Sequence, residues 1–201
     1  MGLREIKMER TRQLIADKAF ELFTEHGFDH TTVEQIAAAA EVGPRTLYRY
    51  YPTKETLLVK YVEVHLFASL NRLREQPDDV GLPQALYAMM DSVITTTVAS
   101  GDRVLAVFDL AERTPSVRAQ LSDLWATWRR AVTAEVVRRY SGGRSPELTA
   151  NLAASCAMIV IDVAVRGWVD SGGKTSMRRL VNRSLDLMRS GEVPIAGPAG
   201  R

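Results

Sequence analysis

Two helix starts separated by one tight turn constrain this chain more than any other feature. Thr32 is a good N-cap, and Gln35 falls at the third helical position, the spacing of a capping box. Gly43 and Pro44 make the second start, because glycine is tolerated at the cap and proline at the first helical position loses no hydrogen bond. Pro52 ends that second helix, and Thr53 is placed to cap a longer one after it. The helix between, over 44–51, is too short to be a core element. Leu47 is its anchor, and Arg45, Thr46, Tyr48, Arg49, Tyr50 and Tyr51 surround it with no acidic residue among them.

Charge is distributed to match. The net charge is only +2, so the whole chain neither demands nor excludes a nucleic-acid partner. Residues 13–42 carry one cation, Lys18, against Asp17, Glu21, Glu25, Asp29, Glu34 and Glu41. Residues 43–54 carry Arg45, Arg49 and Lys54 against none, and at the start Arg4, Lys7, Arg10 and Arg12 stand against Glu5 and Glu9, a local balance of +2. Positive charge therefore sits where a phosphate-facing surface could use it.

The rest of the chain reads as helices. Ile15, Ala19, Leu22 and Phe23 give a first helix from about Met8 to His26, stopped by Gly27, with a polar and frayed segment before it. Val33, Ile36, Ala37 and Ala40 make the second. The fourth, from Lys54 to about Glu75, buries Leu57, Leu58, Tyr61, Val62, His65, Leu66 and Leu70. Five more follow over about 83–99, 102–113, 115–140, 147–170 and 175–189, with the end of the loop 141–146 capping the eighth. Residues 191–201 are rich in glycine, proline and alanine, the composition of a disordered tail. No stretch alternates at the period of a strand. The expected class is all-α, with about nine helices.

The order and spacing of Ile15, Ala19, Leu22, Phe23, Gly27, Phe28, Thr31, Thr32, Val33, Ile36, Ala37, Ala40, Val42, Thr46, Leu47, Tyr48, Tyr50, Tyr51, Lys54, Leu57 and Leu58 resemble the helix-turn-helix domain of the TetR family of transcriptional regulators. About a third of the chain is covered. Glu41 stands where the family usually has a turn glycine, and Gly43 where it usually has a capping serine. A non-glycine residue in the left-handed conformation costs about 1 kcal/mol, too little to prevent the turn. The resemblance implies a DNA-binding domain over 8–68 and a helical regulatory and dimerisation domain over 69–190. It implies that Thr32 holds a phosphate, that Arg45 and Thr46 reach base edges, and that Tyr48, Tyr50 and Lys54 contact the backbone. Arg49 joins them, although so short a helix cannot turn every side chain to a groove. The chemistry agrees, since arginine engages guanine bidentately while hydroxyls and ammonium groups serve phosphates. Without that context, Arg45 and Arg49 would be read as a solvated face.

The resemblance further implies a homodimer through the eighth and ninth helices, a near-palindromic DNA operator, and a small-molecule pocket in the helical domain. Leu152, Ala153, Cys156, Ile159, Val160, Val163, Ala164 and Gly167 make an apolar surface wider than one stripe, which suits a dimer interface or, alternatively, the central helix of a monomeric bundle. Met89, Met90, Phe108, Trp125, Trp128 and Met158 are either core or the lining of an adaptable apolar cavity for a hydrophobic, aromatic or acyl-like effector. Asp162 and Arg166, at i,i+4, are either a local ion pair or groups that orient that effector. The expected function is a ligand-released repressor. The rivals are an activator, a constitutive repressor, or a helical binding module with a vestigial DNA head.

The inventory argues against other classes. His26, His30 and His65 lie in different elements and Cys156 is alone, so no metal site, no cofactor and no catalytic constellation is expected. The charged N-terminal segment lacks the apolar core of a secretory signal. The run Cys156–Val165 contains Asp162 and is too short to span a bilayer, so a cytoplasmic protein is expected.

Overall fold

The computed structural model describes residues 2–140 and 145–194, and among them every regular element is a helix. In order these are α1 (Leu3–His26), α2 (Val33–Ala39), α3 (Pro44–Tyr50), α4 (Lys54–Arg74), α5 (Leu82–Ala99), α6 (Gly101–Arg113), α7 (Pro115–Arg139), α8 (Pro146–Asp170) and α9 (Met177–Ser190). The all-α expectation holds. The chain forms two compact units, Met1–Ala68 with Ser100–Trp128, and Ser69–Ala99 with Arg129–Arg201. Residues 100–128 thus belong to the same unit as the N-terminal helices.

In the first unit, α1 begins at Leu3 and not near Met8. The segment is polar in sequence, yet Arg, Glu and Lys are all good helix formers, so polarity there does not mean fraying. Ile15, Ala19, Phe23, Ile36, Ala37, Leu47, Leu57 and Leu58 fill the core beneath α1, α2, α3 and the start of α4. Gly27 takes the left-handed conformation at φ 84°. That turn brings Phe28 back onto Phe23, with ring centroids 4.9 Å apart. On α6, Arg103 lies 4.7 Å from the ring of Phe20 and 5.3 Å from that of Tyr61, and its guanidinium is 3.5 Å from Asp17.

In the second unit, α8 packs on α9 and α5, and α5 on α9. Ala150, Ala154, Ala157, Val160, Ile161, Ala164, Val165 and Trp168 are buried along α8. The alanines let neighbouring helices approach, and a Cβ added at Gly167 would meet Leu180 Cδ1 at 3.0 Å. Arg178 pairs with Asp91 and Tyr87 donates to Asn182 at 3.0 Å, tying α9 to α5. Glu135 is buried on α7 and held by Arg138 and Arg139, at 2.7 and 3.0 Å. The Arg138 hydrogen bond, foremost, keeps its carboxyl below the usual range despite burial. Arg139 also donates to the carbonyls of Arg74 and Gln76, at 3.1 and 2.5 Å, which satisfies the C-terminal end of α4.

Several sequence expectations shift. The run Cys156–Val165 belongs to a helix of 25 residues, long and apolar enough by composition alone to cross a membrane. The helix matches the span 147–170 expected from sequence to within one residue. Ser145 occupies the N-cap of α8 without a side-chain cap hydrogen bond, and residues 141–144 of the expected loop lie outside the described residues. Ser176 caps α9 by accepting from Arg179 N, and Gly191 ends it at φ 76°. Residues 195–201 of the expected tail also lie outside the described residues.

Candidate nucleic-acid interface

The site is built on a turn that holds α3 in place. Val42 N donates to Ala37 O at 2.9 Å and Glu41 N to Ala38 O at 3.1 Å, the paired bonds of a Schellman motif. Glu41 occupies the left-handed position at φ 53°, the conformation usually given to glycine. Gly43 then caps α3 from an extended conformation and Pro44 is its first residue. Leu47 is fully buried and pins the helix from behind, and Tyr51, 3% exposed, secures its end.

With Leu47 inward, the helical repeat sets Arg45 and Arg49, at i,i+4, near the centre of the opposite face. Both are exposed, and neither has an ion-pair partner among the described residues. Tyr48 is 47% exposed on one flank, and Thr46 and Tyr50 are half-buried on the other. The face therefore offers two guanidiniums, two phenols and a hydroxyl, with no acid on the helix itself.

Thr32 sits apart, at the start of α2. Its hydroxyl oxygen accepts from Gln35 N at 3.1 Å while Thr32 N donates to Gln35 Oε1 at 2.7 Å. The cap uses the oxygen lone pair and leaves the O–H of an exposed residue free to donate outward. Thr31 beside it is buried, its hydroxyl 2.8 Å from Gly27 O and 3.2 Å from Leu22 O.

Lys54 makes internal contacts that the sequence did not disclose. Its ammonium donates to Phe28 O and Thr31 O, each at 2.9 Å, and lies 4.6 Å from the centre of the Phe28 ring. A lysine at the first residue of a helix stands at the end where the dipole disfavours it. Here its two carbonyl partners, from the loop between α1 and α2, supply the compensation. Two of its three donors are thus spent inside the protein.

Arg12 was absent from the expected set. Its carbonyl accepts from the Tyr51 hydroxyl at 3.0 Å, and its guanidinium lies 5.6 Å from the ring of Tyr50. Burial pushes the Tyr51 phenol up to about 12, so it remains a neutral donor at physiological pH. No local periodicity could signal these contacts, which join residues on different helices.

The expected effector residues are divided between the two units. Met89 and Met90 are buried on α5 and Met158 on α8, in the second unit. Phe108, Trp125 and Trp128 belong to the first unit, where the Trp125 and Trp128 rings meet edge to face at 5.5 Å. Trp128 is fully buried, and its indole N–H has no acceptor among the described residues. Asp162 and Arg166 form the ion pair that their spacing allows, at 2.9 Å. Their side chains are 55% and 71% exposed.

Comparison with known proteins agrees with this geometry. The family model for bacterial regulatory proteins of the tetR family matches residues 15–61, and that for the MftR C-terminal domain matches residues 81–193. TcmR of Streptomyces glaucescens, an HTH-type transcriptional regulator, is 35% identical over 125 residues, covering 59% of this chain and 55% of that protein. The transcriptional regulator MftR of Mycobacterium tuberculosis is 29% identical over 178 residues, 88% of each chain. Among solved structures, FadR of Thermus thermophilus, a TetR-family repressor in complex with lauroyl-CoA, superposes with a TM-score of 0.60 at 20% identity, covering 94% of this chain and 99% of that one. The matched residues span both the helix-turn-helix and most of the helical remainder, so the chain belongs to the TetR family of transcriptional regulators and is a DNA-binding regulator, not an enzyme.

Proposed function

We propose that the protein is a homodimeric, cytoplasmic repressor that reads a near-palindromic operator with α3 and is released by a hydrophobic effector. The observation that carries the reading is the face of α3: Arg45 and Arg49 together, exposed, paired with no acid among the described residues, on a helix fixed by Leu47. Arg45 and Thr46 serve base edges. Thr32, Tyr48 and Tyr50 serve phosphates, and the one remaining donor of Lys54 can join them. In this division of labour residues 8–68 are the DNA-binding domain and 69–190 the regulatory and dimerisation domain. A vestigial head would have no reason to keep this set.

The dimer reading is supported by α8. Leu148, Leu152, Ile159 and Val163 are 61%, 56%, 58% and 49% exposed in the single chain. Their spacings of four and seven place them on one side of the helix, opposite Ala154, Ile161 and Trp168. A continuous apolar stripe of this length is expected to be covered. A second copy covers it by two-fold symmetry, with Met188 contributed by α9 and the Asp162–Arg166 pair of α8 beside it.

The effector reading is supported by Trp128. A buried donor without a partner costs about 1–3 kcal/mol, and an acceptor on a bound molecule would recover it. An acyl thioester fits, having an apolar chain and a carbonyl, and the lauroyl-CoA complex of a protein with this fold agrees. Footprinting on an operator selected from random DNA, with sedimentation equilibrium of the free protein, tests the proposal. Two symmetric protected half-sites, a dimer mass, and release by long-chain but not short-chain acyl-CoA are expected. A monomer, or protection that acyl-CoA leaves unchanged, contradicts it.

A further inference from the structure

We propose that Arg12, on α1, is a DNA-phosphate contact that acts together with Arg49 across the ring of Tyr50. The inference rests on the reading of α3 as the DNA-facing helix and adds a residue from a different element to it.

Two consecutive tyrosines join the Arg12 turn of α1 to the end of α3. Tyr51 fixes the backbone, its buried hydroxyl donating to Arg12 O at 3.0 Å. Tyr50 fixes the side chain: the Arg12 guanidinium lies 5.6 Å, and that of Arg49 5.1 Å, from the centre of its ring. Two cations sharing one ring stand within about a Debye length of each other, on the order of 10 Å at 0.1 M salt. Their mutual repulsion is relieved by an anion between or above them. The counter-charge available within the protein is weak, since Glu9 lies 3.8 Å from Arg12 with both side chains well exposed, at 59% and 41%. Exposed pairs of this kind hold little energy, so a phosphate can displace it.

The chemistry of arginine suits the position. A guanidinium stacked on an aromatic ring keeps its N–H edge free, and that edge fits a phosphate bidentately. The ring holds both side chains near one geometry before DNA arrives, which lowers the ordering cost of binding. Phosphates recur every 3.4 Å of duplex axis on each strand, so the two arginines can share one phosphate or take neighbouring ones. The expected outcome is affinity without sequence preference: Arg45 chooses the site, and Arg12 with Arg49 sets the register on the backbone.

Fluorescence anisotropy of the full-length protein on the selected operator and on two scrambled duplexes, from 50 to 300 mM KCl, tests this. Arg12→Gln is expected to weaken all three duplexes by the same factor, roughly tenfold at 100 mM. The salt slope is expected to fall by about 0.9 per subunit. Arg12→Lys keeps the charge and retains most of the slope, so a folding defect in the glutamine variant would be recognised. In a Tyr50→Leu background, Arg12→Gln costs less, because the ring that aims the guanidinium is gone. Wild-type-like affinity and salt slope for Arg12→Gln, with the wild type binding its operator normally, overturn the inference alone. A wild type that binds no duplex overturns it together with the DNA-reading assignment of α3.

Discussion

Lys54→Met separates the proposed phosphate contact of this residue from its internal clamp. Methionine keeps most of the stem and removes the ammonium that donates to Phe28 O and Thr31 O at 2.9 Å. Hydrogen bonds to a charged group are worth about 1.5–3 kcal/mol each, and the low end applies because the residue is half-buried and water can reach the freed carbonyls. The contact with the Phe28 ring adds about 0.5–1 kcal/mol, and relief of the misplaced charge at the α4 N-terminus returns about 0.3–1 kcal/mol. The net loss is then about 2–4 kcal/mol, and for a chain of this size each kcal/mol moves Tm by roughly 2–4 °C. Melting followed by circular dichroism, without DNA, should show Tm falling by roughly 5–12 °C. If Lys54 served only a phosphate, the free protein would melt unchanged while DNA affinity fell. A Tm within 1 °C or so of wild type would refute the clamp.

Three other outcomes follow from the same physics. Trp128→Phe removes the unpaired N–H, a gain of about 1–3 kcal/mol. It also leaves a void of roughly 40 Å³ that costs about 1 kcal/mol. Urea unfolding should therefore change little, while acyl-CoA potency drops several-fold; a loss above about 3 kcal/mol would mean that the N–H is paired. Ile159→Asp should leave the fold intact and give a monomer by sedimentation, since the side chain is 58% exposed in the single chain; an unchanged mass would remove α8 from the interface. Tyr51 sets an alkaline limit: its phenol is raised to about 12 when folded, against about 10 unfolded, so its contribution is complete below pH 10 and lost as pH rises toward 12. Tyr51→Phe should lose stability less steeply than wild type across that window, and parallel pH profiles would contradict the assignment.

What could be read from the sequence was local. The capping box at Thr32, the αL turn at Gly27, the proline start of α3 and the tolerance of Glu41 in a turn are all settled within a few residues, by backbone donors and steric limits. What escaped was long-range or depended on burial. Lys54 meets carbonyls 26 and 23 residues away, and Tyr51 meets one 39 residues away, distances at which no pattern survives. On α8 the composition showed a helix apolar on more than one side but could not separate Ile161, buried within the chain, from Ile159, exposed on it. That separation is what distinguishes the core from the surface offered to a second copy. The start of α1 was misplaced for the opposite reason, because polar residues without a core face can still propagate a helix.

The central claim is that α3 reads DNA sequence through Arg45, and one comparison tests it most directly. Base-by-base affinity on the selected operator, for wild type and Arg45→Ala, should show a preference of about 1–3 kcal/mol at one symmetric position that the variant lacks. Preferences elsewhere in the operator should survive. A variant that loses affinity uniformly and keeps every base preference would contradict the claim, and would make Arg45 another backbone contact.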